Sequence, residues 1–176
     1  MLKIAVIGAG VSGLSVASLL AKAGYNITVF EKSDAISEIG AGVQISPNGF
    51  CVLKEMGVSE SALKNSICNN SIAICDYQNG KKLLQFEQRS ALGNKNFRLM
   101  HRADLINILI ESAESNKVRI KLGNSADASL LSDQYSMVIA ADGVHSKTRN
   151  FLNPNQRKNS DVGYFAWRAV VPNTIN

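Results

Sequence analysis

A strand, a glycine turn and a helix follow one another near the start of the sequence, and this succession constrains the fold more than any other feature. The apolar run KIAVIG leads into Gly8, Gly10 and Gly13, which form a G-x-G-x-x-G pattern. Apolar residues then recur at helical spacing in VSGLSVASLLAKAG, and YNITVFEK is typical of a second strand. Two strands joined by a helix pair in parallel, so the sequence predicts a βαβ unit within a Rossmann-type sheet.

The glycine pattern indicates a dinucleotide site. Gly8 permits a tight turn, Gly10 lets the backbone approach a pyrophosphate, and Gly13 lets the helix pack closely on the strand. Ser12 lies in the first turn of the helix, whose N-terminus favours phosphate charge, and it is included among the cofactor-binding residues. A glycine turn with a purely structural use is the alternative.

Glu31 supplies the second feature of such a site. It is expected to end the second strand, where its carboxylate can accept hydrogen bonds from an adenosine ribose and would repel a 2′-phosphate. Its neighbour Lys32 is also assigned to the cofactor-binding set. A solvated carboxylate at a strand end is the alternative. The glycines and Glu31 together predict an adenine dinucleotide and disfavour NADP here, but they do not separate FAD from NAD.

A second strand-to-turn junction occurs at MVIAADGVHSKTR. Asp142 would lie at the end of a buried strand, and Gly143 would allow the backbone to turn sharply. A carboxylate held there can bind hydroxyl groups or order a neighbouring loop. Ser146 and Arg149 follow in the first turns of an expected helix, and Asp142 acting as a helix N-cap is the alternative.

The remaining segments indicate a second, partly antiparallel layer. We expect a helix over residues 47–56 that ends at Gly57, a hairpin from SIAICDY through QNGKK to LLQF, a helix in RADLINILIESAES, and a strand in KVRIKL. The short stretch NSADASLLSDQ is taken as a lead-in to the Asp142 strand, and VGYFAWRAVVPNTIN is expected to form a strand.

Composition narrows the function classes. An apolar content of 45% and a mean hydropathy near zero predict a soluble globular protein. The net charge of +5 is spread along the chain, which disfavours nucleic-acid binding. The three cysteines show no C-x-x-C spacing, so reduced thiols in the cytoplasm are expected, and no metal site is predicted. Glycines interrupt the N-terminal apolar run, which argues against a signal peptide or a transmembrane segment.

Taken together, these segments resemble the class A flavoprotein aromatic monooxygenases, the family of p-hydroxybenzoate hydroxylase and salicylate hydroxylase. VIGAGVSGL with Glu31 is similar to the family's FAD motif, and MVIAADGVHSKTR to its Asp-Gly motif. IGAGVQISPNGFCVLKEMG resembles the salicylate hydroxylase branch, MHRADLINIL the segment whose arginine lies along the flavin, and GYFAWRAVVP the entry into the substrate domain. The landmarks follow the family order from residue 1 to about residue 172.

The resemblance implies an α/β fold in which a Rossmann-like FAD-binding βαβ sheet carries antiparallel strands of an interleaved, incomplete substrate domain. It divides the chain into an FAD-binding domain over residues 1–66 and 98–159 and substrate-domain strands over 67–97 and 160–176. Only about half of a family member is matched, and the family's third fingerprint, a Gly-Asp-Ala motif, does not occur in these residues. The sequence is therefore expected to represent an N-terminal half.

The resemblance also assigns cofactors and roles. FAD would be reduced by NAD(P)H as co-substrate, and a hydroperoxide at flavin C4a would hydroxylate a small aromatic substrate such as a hydroxybenzoate or a ubiquinone precursor. Arg102 would neutralise charge along the flavin, Gly42, Val43 and Gln44 would line its approach, and Asp142 would organise the cleft. Without the resemblance, Arg102 would be taken as a surface arginine at a helix start.

No catalytic side chain is predicted, because the flavin performs the chemistry; His101 and His145 are expected to be structural. A complementary C-terminal chain or a homo-oligomer is the expected partner. Two other functions stay open. One is a non-catalytic remnant or a dinucleotide-binding interaction module of a split flavoprotein. The other is an NAD-dependent dehydrogenase, which is disfavoured because no acid-base constellation accompanies the sheet.

Overall fold

The computed structural model describes residues 2–36, 42–69, 71–87 and 97–155, together with Gly163. Its strands and helices, in chain order, are β1 (Lys3–Ile7), α1 (Val11–Lys22), β2 (Asn26–Phe30), β3 (Gly42–Ile45), α2 (Pro47–Glu55), β4 (Ile67–Asn69), β5 (Ser71–Cys75), β6 (Lys82–Glu87), β7 (Phe97–His101), α3 (Arg102–Ser115), β8 (Arg119–Lys121), α4 (Ala128–Ser132), β9 (Met137–Ala140) and α5 (Lys147–Leu152). A short 3-10 helix, Glu60–Leu63, follows α2. None of the described helices has the length and apolar character needed to cross a lipid bilayer.

The chain divides into two compact units. The first unit consists of Met1–Ile39 and Ala103–Arg168, and the second of Gly40–Arg102 and Ala169–Asn176. The predicted FAD-binding domain also included residues 40–66 and 98–102, which this division places in the second unit. The assignment of functional domains stays a prediction.

The first unit is built on a parallel sheet with the strand order β8-β2-β1-β9. Every pair in it is parallel, with Ile4 opposite Ile27 in β2 and Met137 in β9. The strands β1 and β2 are buried over four successive residues each, as expected for a parallel sheet covered on both faces. The predicted βαβ unit and the Rossmann-like sheet are confirmed.

Side chains from helices α3 and α4 contribute to the core of this unit. Leu105, Ile106 and Leu109 of α3 are at most 4% exposed. Leu131 of α4 packs in one cluster with Ala5, Ile7 and Phe30 of the sheet. The segment predicted as a short lead-in to β9 contains a helix that was not anticipated: Asp127 begins it by accepting a hydrogen bond from the Ser129 N–H at 2.9 Å.

The end of α1 shows why the chain turns where the sequence predicted. Gly24 has φ +94°, and its N–H donates to the carbonyl of Ala21, while the Tyr25 N–H donates to the carbonyl of Leu20. This pair of bonds closes the helix in a Schellman motif, for which glycine is the favoured residue. The next strand can therefore begin at Asn26.

The second unit contains antiparallel strands. One sheet has the order β3-β7-β4, and a separate hairpin pairs β5 with β6. The hairpin and the helix α2 confirm their predictions, whereas the pairing of β3, β4 and β7 was not anticipated. Apart from Gly163, the expected strand at residues 162–176 lies outside the described residues, as do Ile39, Gly40 and Ala41 of the proposed salicylate hydroxylase motif.

Candidate cofactor-binding site

Loops that follow three neighbouring parallel strands form the candidate site of the first unit. The glycine loop (residues 8–13) follows β1, the acid turn (residues 31–34) follows β2, and the Asp-Gly loop (residues 141–146) follows β9. Because β1 lies between β2 and β9 and all three run in parallel, their carboxyl ends meet at one edge of the sheet. Ligands of open α/β sheets bind at this kind of edge.

The glycines of the first loop divide into two kinds. A Cβ at Gly13 would overlap the carbonyl oxygen of Gly8, and a Cβ at Gly8 would overlap the carbonyl oxygen of Ala141. Gly8 also has φ +102°, a region that side chains disfavour. These two glycines are therefore required by the fold, since they let β1, α1 and the Asp-Gly loop approach one another.

Gly10 is different, because nothing in the described protein requires a glycine there. Its φ of −78° and ψ of −175° are extended values open to any residue, and a Cβ would meet no described atom within 4 Å. It caps α1 without a side-chain hydrogen bond, and the first helical turn carries no acidic residue. The loop thus leaves open space and backbone N–H groups in front of a helix N-terminus, which suits a phosphate.

Glu31 is held by the backbone on both carboxylate oxygens. Strand β2 ends at Phe30, one residue earlier than predicted, and Glu31 opens the acid turn. Its Oε2 accepts a hydrogen bond from the Ala9 N–H at 2.8 Å, and its Oε1 accepts one from the Ser33 N–H at 3.0 Å. A carboxylate offers about four acceptor positions, and the two backbone N–H groups and the Ser33 hydroxyl use three of them, so acceptor capacity remains for a ribose hydroxyl.

These contacts also set the proton affinity of Glu31. Partial burial works to raise its pKa, but the N–H groups of Ala9 and Ser33, the Ser33 hydroxyl and the charge of Lys32 outweigh it, so the pKa lies below its ordinary value. Glu31 is therefore ionised at neutral pH and only accepts hydrogen bonds.

The two other residues predicted for this part of the site are exposed. Lys32 lies in the acid turn, and Ser12 lies in the first turn of α1.

Asp142 organises the start of α5. Its Oδ1 accepts a hydrogen bond from the Ser146 hydroxyl at 2.7 Å, and its Oδ2 accepts from the N–H and the hydroxyl of Thr148 at 3.1 Å each. Ser146 is the N-cap, accepting from the Arg149 N–H at 2.9 Å. Asp142 is thus not the N-cap, yet it binds a free N–H of the same helix start and fixes the N-cap hydroxyl.

The hydrogen bonds to Asp142 lower its pKa. Burial acts in the opposite direction, but the Ser146 hydroxyl, the Thr148 and Asp142 N–H groups and the Thr148 hydroxyl together keep the pKa below its ordinary value. The Asp-Gly loop also borders an open cavity of about 320 Å³, lined by Ala140, Asp142, Gly143, Ser146, Arg149, Leu152 and Asn153.

The lowered pKa values of Glu31 and Asp142 should make the free energy of unfolding depend on pH in the acid range. A carboxyl group whose pKa is lower in the folded than in the unfolded state stabilises the fold above the unfolded value, and this contribution is lost as the pH falls through the folded value. We expect the free energy of unfolding, measured with urea, to fall as the pH is lowered below about 4.5. The double variant Glu31→Gln, Asp142→Asn should show a shallower fall, and an unchanged slope would contradict the assignment.

The other predicted residues lie in the second unit, where β3 and β7 bring them together. Gly42 pairs with His101 and Val43 with Met100 in this antiparallel ladder, and Arg102 follows as the first residue of α3. A cation at a helix N-terminus is unfavourable for the helix dipole, so helix stability does not explain the exposed Arg102. Its role beside a flavin stays a prediction, as do those of Gly42 and Val43.

Sequence reasoning missed the backbone donors and the second hydroxyl of these loops. Ala9 and Ser33 act through their N–H groups, which leave no trace in a side-chain pattern. Thr148 could have been recognised, since a hydroxyl two residues after an N-cap serine lies within one helical turn of it. His145 is exposed in the turn before α5 and is not among the partners of Asp142.

Comparison with known proteins identifies the relatives of this arrangement. The family model described as "FAD binding domain" matches residues 1–176. The chain is 31% identical to a 3-amino-4-hydroxybenzoate 2-monooxygenase of Streptomyces cremeus, over 99% of this chain and 47% of that protein. It is 27% identical to a 3-hydroxybenzoate 6-hydroxylase of Klebsiella oxytoca, over 94% of this chain and 46% of that protein.

Solved structures share the fold. The structure of CtdE in complex with FAD and a substrate aligns with a TM-score of 0.70 at 24% identity, over 86% of this chain and 40% of that one. The tetrameric form of 2-methyl-3-hydroxypyridine-5-carboxylic acid oxygenase aligns with a TM-score of 0.70 at 22% identity, over 87% of this chain and 42% of that one. The chain spans about half the length of the curated relatives it matches. With a match along its whole length, the chain belongs to the family of FAD-binding domains.

Proposed function

We propose that this chain supplies the part of an FAD-dependent monooxygenase that binds the adenosine and pyrophosphate of the cofactor. The whole enzyme would use NAD(P)H and O₂ to hydroxylate a small aromatic ring of the hydroxybenzoate type. The relatives named 3-hydroxybenzoate 6-hydroxylase and 3-amino-4-hydroxybenzoate 2-monooxygenase support this choice of substrate. Hydroxylation would also need the sequence that corresponds to the other half of these relatives, in the same or in a complementary chain.

The observation that carries the proposal is the unexplained glycine at position 10. The fold requires Gly8 and Gly13, but a side chain at Gly10 would project into open space at the start of α1. A bound pyrophosphate explains the missing side chain, because it needs that space and the backbone N–H groups beside it. A helix start without an acidic residue or a side-chain cap fits the same ligand.

Glu31 would then receive the ribose of the adenosine. Its two backbone bonds fix the carboxylate near the glycine loop, and its lowered pKa keeps it ionised. The ionised carboxylate would therefore accept a hydrogen bond from a ribose hydroxyl and would repel a 2′-phosphate. Asp142 would hold the Asp-Gly loop beside Gly8, which keeps the third wall of the site in place.

When bound, FAD would accept a hydride from NAD(P)H and activate O₂. The residues of the chain would bind and orient the cofactor and exclude water from it. Arg102 would place a positive charge along the cofactor, and Gly42 and Val43 would give it a small, partly apolar strand to lie against. None of the predicted residues has to transfer a proton in this proposal.

The direct test is the visible absorbance of the purified chain with and without added FAD. A yellow protein with the two flavin bands, or a saturable change on titration, is expected. Gly10→Ala should weaken FAD binding by at least about tenfold, because the methyl group enters the phosphate space, while stability changes by less than about 1 kcal/mol.

Gly24→Ala is the matched control, since it alters the other end of the same helix. Gly24 has φ +94°, so alanine is strained there, yet the added Cβ meets nothing within 4 Å among the described residues. It should therefore lower stability by about 1 kcal/mol and leave FAD affinity unchanged. A wild-type chain that stays colourless at high FAD would contradict the proposed function and favour a non-catalytic remnant.

A further inference from the structure

The loop after β8 is bonded directly to the acid turn. We define the β8 loop as residues 122–124, which follow the edge strand of the parallel sheet. The Asn124 N–H donates to the Glu31 carbonyl at 2.8 Å, and the Gly123 N–H donates to the Ser33 carbonyl at 2.9 Å. Strand β8 completes the contact, since the Glu31 N–H donates to the Lys121 carbonyl at 2.9 Å. The main chain of the acid turn is thus held from one side by a single short segment.

Ser33 links this backbone contact to the carboxylate. Its carbonyl accepts from the β8 loop, while its own N–H donates to Glu31 Oε1 at 3.0 Å. If the Ser33 carbonyl moved, the direction of the neighbouring Ser33 N–H would change and its bond to Oε1 would be lost. Of its two backbone donors, the carboxylate would then keep the Ala9 N–H.

We propose that the β8 loop is a positioning element that fixes the Glu31 carboxylate for the ribose hydroxyls, with Gly123 as its critical residue. The inference deepens the proposed function and rests on it for its ligand. Binding groups are effective only when the residues behind them hold their geometry within a fraction of an ångström. Gly123 and Asn124 do so here through backbone bonds and need no contact with the cofactor.

The conformation of Gly123 explains why glycine is needed. Its φ is +63°, and a Cβ built on it would lie 2.7 Å from Asp34 Oδ1. A β-branched side chain is a genuine outlier at positive φ, and here it would also displace the Asp34 carboxylate of the acid turn. The same backbone strain without the neighbour occurs at Gly80, whose φ is +71° and whose added Cβ would meet nothing within 4 Å in the described protein.

The test compares Gly123→Val with Gly80→Val, using ADP as the probe because it carries the ribose and the pyrophosphate without the flavin. Gly123→Val should weaken ADP binding by about tenfold, measured by calorimetry, and Gly123→Ala should weaken it less and in the same direction. Gly80→Val should lose stability but keep the wild-type affinity, because its N–H bonds to Asp76 in the hairpin turn. Unchanged ADP affinity in Gly123→Val would overturn the inference.

A second readout works without any ligand. The carboxyl carbon of Glu31 can be titrated by NMR, and its pKa should be higher in Gly123→Val than in the wild type, since the Ser33 N–H no longer stabilises the anion. Gly80→Val should leave it unchanged. If the wild type bound neither ADP nor FAD, the proposed function would fail, and this titration would still decide on the positioning role. The same Glu31 pKa in wild type and Gly123→Val would overturn it.

Discussion

Replacing Gly13 with alanine is expected to lower the free energy of unfolding by about 3 kcal/mol, because the new methyl group cannot be accommodated. It would overlap the carbonyl oxygen of Gly8 and touch the Cβ of Ala141. The carbonyl belongs to the backbone and cannot rotate away as a side chain would. Either α1 moves away from β1 or the glycine loop changes shape, and both responses disturb the buried residue Leu14 that follows Gly13.

Gly10→Ala is the matched control for this prediction. Both residues belong to the glycine loop, but alanine at position 10 meets no described atom and has an ordinary backbone conformation. Urea unfolding followed by circular dichroism should therefore separate the two variants by at least about 2 kcal/mol. Equal stabilities would mean that α1 does not pack on β1 as closely as the structure places it.

Asp142→Ala is expected to cost about 2 kcal/mol, after allowance for the partial exposure of the carboxylate. The variant removes the acceptor for the Ser146 hydroxyl and for both donors of Thr148. Ser146 and Thr148 are each 7% exposed, so these donors cannot all turn to solvent. Because the Asp-Gly loop touches Gly8, FAD affinity should fall as well.

Asp127→Ala provides the comparison for Asp142. Asp127 also binds the start of a helix, accepting from the N–H and the hydroxyl of Ser129, but it does so at the surface. Its loss should lower stability less and leave FAD affinity unchanged. Amide hydrogen exchange would locate the difference, with faster exchange in α5 for Asp142→Ala and in α4 for Asp127→Ala. Equal losses in both variants would contradict a special role for the Asp-Gly loop.

The elements that sequence predicted share strong local signals. The strand β1 and the helix α1 carry continuous apolar or helical patterns and are bounded by glycines, and α2 has Pro47 at its start and Gly57 after its end. The sheet of β3, β7 and β4 was missed for the opposite reason. Its strands are three to five residues long, and β7 includes Arg98 and His101, so only pairing between distant segments defines them.

The residues of the candidate site could be predicted where the residue type marks them in the sequence, but not where backbone groups alone make the contacts. Glycine spacing and an acidic residue after β2 were sufficient to select Gly8, Gly10, Gly13 and Glu31. The division of the glycines into two that the fold requires and one that it does not depends on distances across the sheet. The bonds of Gly123 and Asn124 to the acid turn likewise involve only peptide groups, which any residue other than proline can supply.

The pairing of β1 with β9 has a consequence for the order of folding during synthesis. Ile4 pairs with Met137, so β1 leaves the ribosome long before its second neighbour, β9, exists. Contacts so distant along the chain form late and slowly. Ala141, which forms the wall against Gly8, is made later still. The nascent chain must therefore keep the apolar edge of β1 from aggregating until β9 has been translated, and a chain interrupted before residue 141 would lack the carbonyl group that packs against Gly8.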